Sequence, residues 1–229
     1  MVTVLPFYYV NSFMSYSIFG YGSLIHPRSV IARFSDEIPS IDPVYEKRLR
    51  YEENGIIRPE ATEVLEESYS HLEFKPVKLR GFIRTYTFES ERGGAMLETY
   101  YTGRDEDLIN GVVTSGLNRE QYEAINEYES AYDQYVIQPD EFELYEEASD
   151  YSINSTSTIY LGGQGKQSNW ETSKVRNQAY HSRILKGIDQ LGEIHNRRLR
   201  ESFWKDFVEN TYEHPDVTLE VEYEDLNQL

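Results

Sequence analysis

The spacing of apolar positions changes character several times along the chain, and each change marks an element. Residues 17–27 (SIFGYGSLIHP) begin as a short apolar strand and run into a glycine-spaced turn, Gly20-Tyr21-Gly22-Ser23. Residues 27–34 then predict a short helix, with Pro27 at a favoured first-turn position. The stretch 35–70 is polar, acid-rich and weakly periodic, an excursion carrying one helical piece near 59–67. Over 76–88, Val77, Leu79, Gly81, Ile83, Thr85 and Thr87 alternate with a second aromatic set, Phe82, Tyr86 and Phe88; this predicts a strand bent at Gly81. Residues 95–101 read as its neighbour after the Gly93-Gly94 turn, and 110–117, 134–145 and 156–161 as further strands. From 169 to 212 the period becomes helical. Tyr180, Ile184, Ile188 and Leu191 mark one face, and after a break near Gly192 come Ile194, Leu199, Phe203 and Phe207. In the acidic tail, Val217, Leu219, Val221 and Tyr223 alternate as a last strand would.

The best-marked helix follows the 110–117 strand. Asn118 suits an N-cap and Gln121 stands three residues later, while Leu117 and Tyr122 occupy the positions of a hydrophobic staple. On that register Tyr122, Ile125 and Glu129 fall at i, i+3 and i+7, so Glu129 shares the apolar face at the C-terminal end. Desolvation and the negative end of the helix dipole would both raise its pKa toward the range useful for proton transfer. Read in isolation, the residue is more readily a solvated or salt-bridged end-of-helix acid like its neighbours Glu123 and Glu127.

Composition narrows the picture. The length of 229 residues suits one well-filled domain, and the longest apolar runs are strand-sized, so no membrane span is expected. Forty acidic against 22 basic residues, a formal charge of -18, oppose nonspecific attraction to nucleic acid or anionic lipid. Zero cysteines exclude a disulfide framework, a thiol nucleophile and a thiolate metal site, which suits a cytoplasmic protein. Five scattered histidines, at 26, 71, 181, 195 and 214, show no helix-face metal spacing and read as surface or packing residues. Twenty tyrosines and ten phenylalanines predict an aromatic core with polar handles. Residues 1–15 lack a basic n-region and a small-residue cleavage site, and read as a flexible extension with Met14 just ahead of the first strand.

The glycine turn carries the first chemical hint. Gly20 and Gly22 permit close approach, so successive main-chain N–H groups can face a carboxylate or a developing oxyanion, with the hydroxyls of Tyr21 and Ser23 beside them. The dinucleotide fingerprint would need glycine at Ile25, and the hydrolase elbow would need its serine at Gly22. Residues 162–168 (GGQGKQS) miss the phosphate loop, which needs glycine at Tyr160 and serine or threonine at Gln167.

Taken in order, Phe19-Gly-Tyr-Gly-Ser-Leu24, then Gly111-Val-Val-Thr-Ser-Gly-Leu117 leading into a helix that ends Ile125-Asn-Glu-Tyr-Glu129, then Tyr135-Val-Ile, Ile159-Tyr160 and a helix opening at Tyr180, resemble the γ-glutamylcyclotransferase superfamily over residues 16–195. The opening motif is similar to the ChaC-like branch, whereas 180–187 and 196–199 look more like γ-glutamylcyclotransferase itself. The resemblance implies a mixed α/β (α+β) fold, a compact β-barrel-like mixed sheet wrapped by helices. It implies that Glu129 is the catalytic acid/base, and that Ile18, Phe19, Gly20, Tyr21, Gly22, Ser23 and Leu24, with Tyr135, Tyr160 and Tyr180, line the γ-glutamyl site. Tyr132 lies close to Tyr135 in the chain, and the spacing differs there by about a residue from the enzyme it resembles. No cofactor and no metal are implied, and the partner is a small γ-glutamyl compound, with neither nucleic acid nor membrane; monomer and homodimer stay open.

The expected organisation is an N-terminal extension (1–15), a single domain (16–212) with an acidic insert at about 35–70, and an acidic tail (213–229). The reaction implied is conversion of a γ-glutamyl peptide or γ-glutamylcysteine to 5-oxoproline and a free amine. A γ-glutamylamine substrate, or a noncatalytic binding protein on the same fold, are the alternatives.

Overall fold

The computed structural model describes residues 15–34, 69–89, 95–148, 150–162 and 177–212. The expected helix at 59–67, the Gly93-Gly94 turn, the strand at 217–223 and nearly all of the acidic insert and tail lie outside the described residues, as do 163–168 of the glycine-rich loop.

The fold is mixed α+β. Strand β1 (Tyr16–Gly20) lies inside a six-stranded sheet with β2 (Glu73–Arg80), β5 (Leu108–Leu117), β6 (Asp133–Ile137), β7 (Phe142–Leu144) and β8 (Ser157–Leu161), in the order β6-β8-β1-β5-β2-β7. A second sheet holds β3 (Phe82–Glu89), β4 (Ala95–Tyr101) and β9 (Thr211–Tyr212) in the order β4-β3-β9. The expected barrel-like character takes the form of these two sheets, which do not close into a barrel among the described residues. The stretch expected as one bent strand at 76–88 is divided between them. Gly81 adopts φ +81, a conformation costly for a residue with a Cβ, and the chain leaves one sheet there and enters the other.

Strand β1 is antiparallel to β5, with Ile18 opposite Thr114 and Phe19 opposite Val113, and parallel to β8, with Ile18 opposite Thr158 and Phe19 opposite Ile159. Consecutive side chains therefore enter different cores. Phe19 joins the main core between the sheets and the helices α3 (Gln178–Ile194) and α4 (Arg197–Glu209), where Val77, Leu79, Ile159, Ile188 and Trp204 are buried. Ile18 joins a second cluster with Leu24, Leu117, Ile125 and Tyr160, under α1 (Pro27–Ile31) and α2 (Arg119–Tyr128). The break between α3 and α4 falls at His195-Asn196 instead of Gly192, because Asn196 caps α4 through Leu199 N–H. No described helix is long and apolar enough to cross a membrane.

Candidate functional site

Strand β1 ends at Gly20, and the chain turns at once into a 3-10 turn, Ser23–Ile25. The turn is tight because Gly20 lacks a side chain, since a Cβ there would stand 2.5 Å from the Leu24 carbonyl oxygen. Tyr21 is buried and pinned at both ends. Its hydroxyl donates to the Tyr160 carbonyl at 2.6 Å, and its own carbonyl accepts from Arg84 Nη1 at 3.3 Å. Ser23 is half-buried, whereas Leu24 is buried.

Helix α2 delivers Glu129 as the sequence pattern suggests. Asn118 Oδ1 accepts from Gln121 N and Gln121 Oε1 accepts from Asn118 N, both at 2.9 Å, a complete capping box. Leu117 and Tyr122 both pack in the second cluster. Glu129 is the C-cap, its N–H bonded to Ile125 O, and the residue is only 9% exposed. Its carboxylate meets Arg33, whose Nε and Nη2 both lie 3.3 Å from Oε1. The Arg33 guanidinium also lies 3.6 Å over the Tyr128 ring, a cation–π contact that holds it against the helix end. Burial pushes the Glu129 pKa above the ordinary glutamate value, against the opposing pull of Arg33.

Three tyrosines tie the acid to the turn. Tyr160, on β8, donates its hydroxyl to Asn126 Oδ1 at 2.6 Å and so joins β8 to α2. Tyr180 stands in the first turn of α3, whose N-cap Asn177 accepts from Tyr180 N–H. The Tyr180 hydroxyl rests on the glycine turn, and a Cβ on Gly22 would be 2.3 Å from it. Main-chain hydrogen bonds from Ser23 and Leu97 partly offset burial there, leaving the phenol pushed up to about 12. Tyr132 lies in the same field: burial first, then Tyr180, Glu129 and Glu98, raise its pKa. Tyr21 is raised chiefly by burial, with Tyr132, Tyr180, Glu129 and Glu98 adding to it.

The structure thus gathers the turn, Glu129, Tyr160 and Tyr180 around the Tyr21 and Tyr132 hydroxyls. Tyr135 belongs elsewhere. It pairs with Ile159 on β8, so it faces away from Tyr160, and its 40% exposed ring stacks on Tyr101 at 5.8 Å beside Phe82. Of the two neighbouring tyrosines, Tyr132 is the one whose hydroxyl shares the field of Glu129. Arg33, Arg84 and Glu98 were not marked by the sequence pattern, although all three side chains act on the site. A separate cavity of about 320 Å³, lined by Ser15, His71, Glu73 and Lys75 among others, contains none of the expected site residues.

Among the described residues no group of three His, Asp or Glu could hold a metal ion. His26 is buried against Ser29, His181 meets the Tyr86 hydroxyl at 2.6 Å, and His195 reaches Phe74 O at 2.8 Å. These three are packing groups, in line with the sequence reading. The site can offer main-chain donors, a desolvated acid and a wall of phenols.

The sequence matches no family model and no curated protein. The fold is similar to solved γ-glutamyl cyclotransferases. One shares 15% identity at a TM-score of 0.46, the match covering 94% of this chain and 99% of that one. A yeast γ-glutamyl cyclotransferase specific to glutathione shares 14% at 0.45, covering 83% and 96%. The human protein loc79017 shares 15% at 0.47, covering 93% and 96%.

Proposed function

We propose that the chain is a γ-glutamyl cyclotransferase that converts a γ-glutamyl peptide or γ-glutamylcysteine to 5-oxoproline and a free amine. The observation that carries the reading is Glu129, a desolvated carboxyl whose charge acts on the tyrosines that touch the glycine turn. Sequence order supports it, since strand, glycine turn, capped helix and terminal acid occur as in the superfamily the chain resembles.

The reaction needs no external nucleophile. Glu129, as carboxylate, takes a proton from the substrate's α-ammonium, and the freed amine attacks its own γ-carbonyl to close a five-membered ring. The tetrahedral oxyanion, or the α-carboxylate, is held by N–H groups of the Tyr21-Gly22-Ser23 turn. Glu129 then returns the proton to the leaving nitrogen as the γ C–N bond breaks, takes the second proton that the ring nitrogen must shed and passes it to the freed amine, which leaves as an ammonium, so atoms and charge balance without water. The ring closure is intramolecular, and the site's main task is to hold the chain folded. The Tyr180 hydroxyl, bonded to the Ser23 main chain, is the group an incoming anionic oxygen would displace or accept from. Such a protein, without cysteine, would work in a reducing cytoplasm on a small soluble compound.

Purified protein should release 5-oxoproline from one member of a panel of γ-glutamyl peptides, γ-glutamylcysteine, γ-glutamylamines and glutathione. Glu129→Gln should abolish release while retaining binding of the same compound. Wild-type-like release by that variant would sink the assignment. Release from γ-glutamylamines alone would favour the amine-specific alternative, and binding without release by the wild type the noncatalytic one.

A further inference from the structure

The two sheets protect their edges unequally. Strand β7 is three residues long, with Glu143 paired to Arg80 on the neighbouring strand, and β9 is two residues long. The outer main chain of β4 is covered, since Ala95 O accepts from Asn177 N at 3.0 Å and Thr99 O from Gly162 N at 3.1 Å. Strand β6 is the exception. It pairs with β8 on one side, residue for residue from Asp133 to Ile137, and among the described residues no hydrogen bond reaches its outer side. It also has no lysine, no proline and no bulge, the devices that keep an open edge from pairing. Three of the six exposed large apolar side chains among the described residues gather here: Tyr135 and Val136 on the strand, and Tyr101 stacked on Tyr135.

An open row of main-chain N–H and C=O groups is a template for another strand. We propose that the β6 edge pairs antiparallel with β6 of a second copy of this chain, about a two-fold axis at Tyr135. The strand is self-complementary on that axis. Tyr135 meets the partner's Tyr135, Gln134 meets the partner's Val136, and Asp133 meets the partner's Ile137. Residues directly opposite share a face, so the two Tyr101–Tyr135 stacks are brought side by side. Asp133 is the only charged residue of the strand. Its two copies stand four residues apart along the ladder, about 14 Å, beyond the screening length of about 8 Å at physiological salt. Moving the axis one residue to Gln134 would halve that spacing along the ladder. The axis at Tyr135 works whichever way its N–H points, because either residue 135 or its neighbours 134 and 136 exchange the hydrogen bonds. A basic peptide, which a chain of charge -18 attracts from a distance, would find a single carboxylate on this strand to hold it. The pairing is independent of the reaction proposed above.

The test follows the full chain by sedimentation velocity from roughly 5 to 500 µM, since a five-residue edge supports a weak, concentration-dependent dimer. The wild type should pass from monomer to dimer in this range. It should do so more readily at about 0.5 M than at about 0.05 M salt, because each chain carries a charge of -18 that the other copy must approach. Tyr135→Glu and Tyr135→Lys each set like charges opposite one another and should each lower the association constant by roughly tenfold or more, while an equimolar mixture of the two restores it. Such rescue requires that residue 135 meet its own copy. A wild type that stays monomeric throughout, dimers unaffected by both variants, or a mixture that stays monomeric overturns the inference. Hydrogen exchange on the wild type tests the same point without relying on how the variants fold. Amides within 133–137 should gain protection as protein concentration rises, and exchange independent of concentration overturns the pairing. Binding of an unrelated extended peptide to β6 of a monomeric protein would give the edge a different partner and overturn it as well.

Discussion

Replacing Gly22 by alanine tests the contact that joins the glycine turn to α3. The new Cβ would lie 2.3 Å from the Tyr180 hydroxyl oxygen, more than 1 Å inside ordinary contact, whereas the next ring atom, Cζ, is 3.5 Å away and undisturbed. The conflict is therefore with one atom. Tyr180 is partly buried against the core and its hydroxyl is bonded to the Ser23 and Leu97 main chain, so it cannot swing away freely. Overpacking of this kind costs about 1–3 kcal/mol. Tyr180→Phe alone removes the hydroxyl and leaves those main-chain groups short of a partner, also about 1–3 kcal/mol. In the double variant the hydroxyl that alanine would strike is gone, so the steric part of the alanine cost disappears. Any backbone cost of alanine at position 22 occurs on both edges of the cycle and cancels. Urea unfolding of the four proteins should show the double variant more stable than the sum of the single changes by about 1–3 kcal/mol. Additivity within about 0.5 kcal/mol would refute the placement of Tyr180 on the turn.

Two further outcomes follow from the electrostatics. Arg33 is the cation that opposes the burial-driven rise of the Glu129 pKa, so Arg33→Gln should raise that pKa further; on the proposed mechanism the acid limb of the pH–rate profile moves to higher pH, and an unmoved limb would separate Glu129 from the rate. His26 is pushed down to about 3, first by burial and then by Arg28, Lys186 and Arg183, so below pH 6.5 the unfolded chain binds a proton that the folded chain refuses. Stability should fall as pH drops from 6.5 toward 3, by up to about 1.4 kcal/mol per unit from this residue, and the difference between wild type and His26→Gln in chemical unfolding should carry that slope.

How much of this was legible in the sequence depends on whether the signal was local. Strand β4 and helix α2 appear where the pattern set them, because alternation and a capping box act within a few residues. The stretch expected as one strand at 134–145 is two, β6 and β7, on opposite edges of the large sheet. Pro139 opens a 3-10 turn between them, and apolar content alone does not register that turn. Glycine misled once in the helical region. Gly192 stays inside α3, with the Arg200 side chain packed over it from α4. For the site, the pairing of strands decided what spacing left open: β6 places Tyr135 opposite Ile159 and hence away from Tyr160. Arg33 and Glu98 could not be found by pattern. An arginine ending a short helix and an acid in an aromatic strand are ordinary until the fold brings Arg33 to a partner 96 residues away.

The same long-range logic explains why the turn faces as it does. Arg84, on β3, is fully buried, and its guanidinium donates to Thr211 Oγ1, Asn110 O and Oδ1, Phe207 O and Tyr21 O. All are neutral acceptors, and no carboxylate pairs with it among the described residues, so burial lowers its pKa to about 10, which still leaves it charged at neutral pH. A trans peptide points its C=O and N–H in opposite directions, and none of the described bonds is cis. With the Tyr21 carbonyl held onto Arg84, the Gly22 N–H must point away from that guanidinium. An unpaired cation beneath a peptide also draws electron density toward its oxygen, which makes the opposite N–H a better donor to an anion. The turn is therefore aimed and polarised from its carbonyl side by Arg84, while the Tyr180 hydroxyl rests against Gly22 and the charge of Glu129 acts on both Tyr21 and Tyr180.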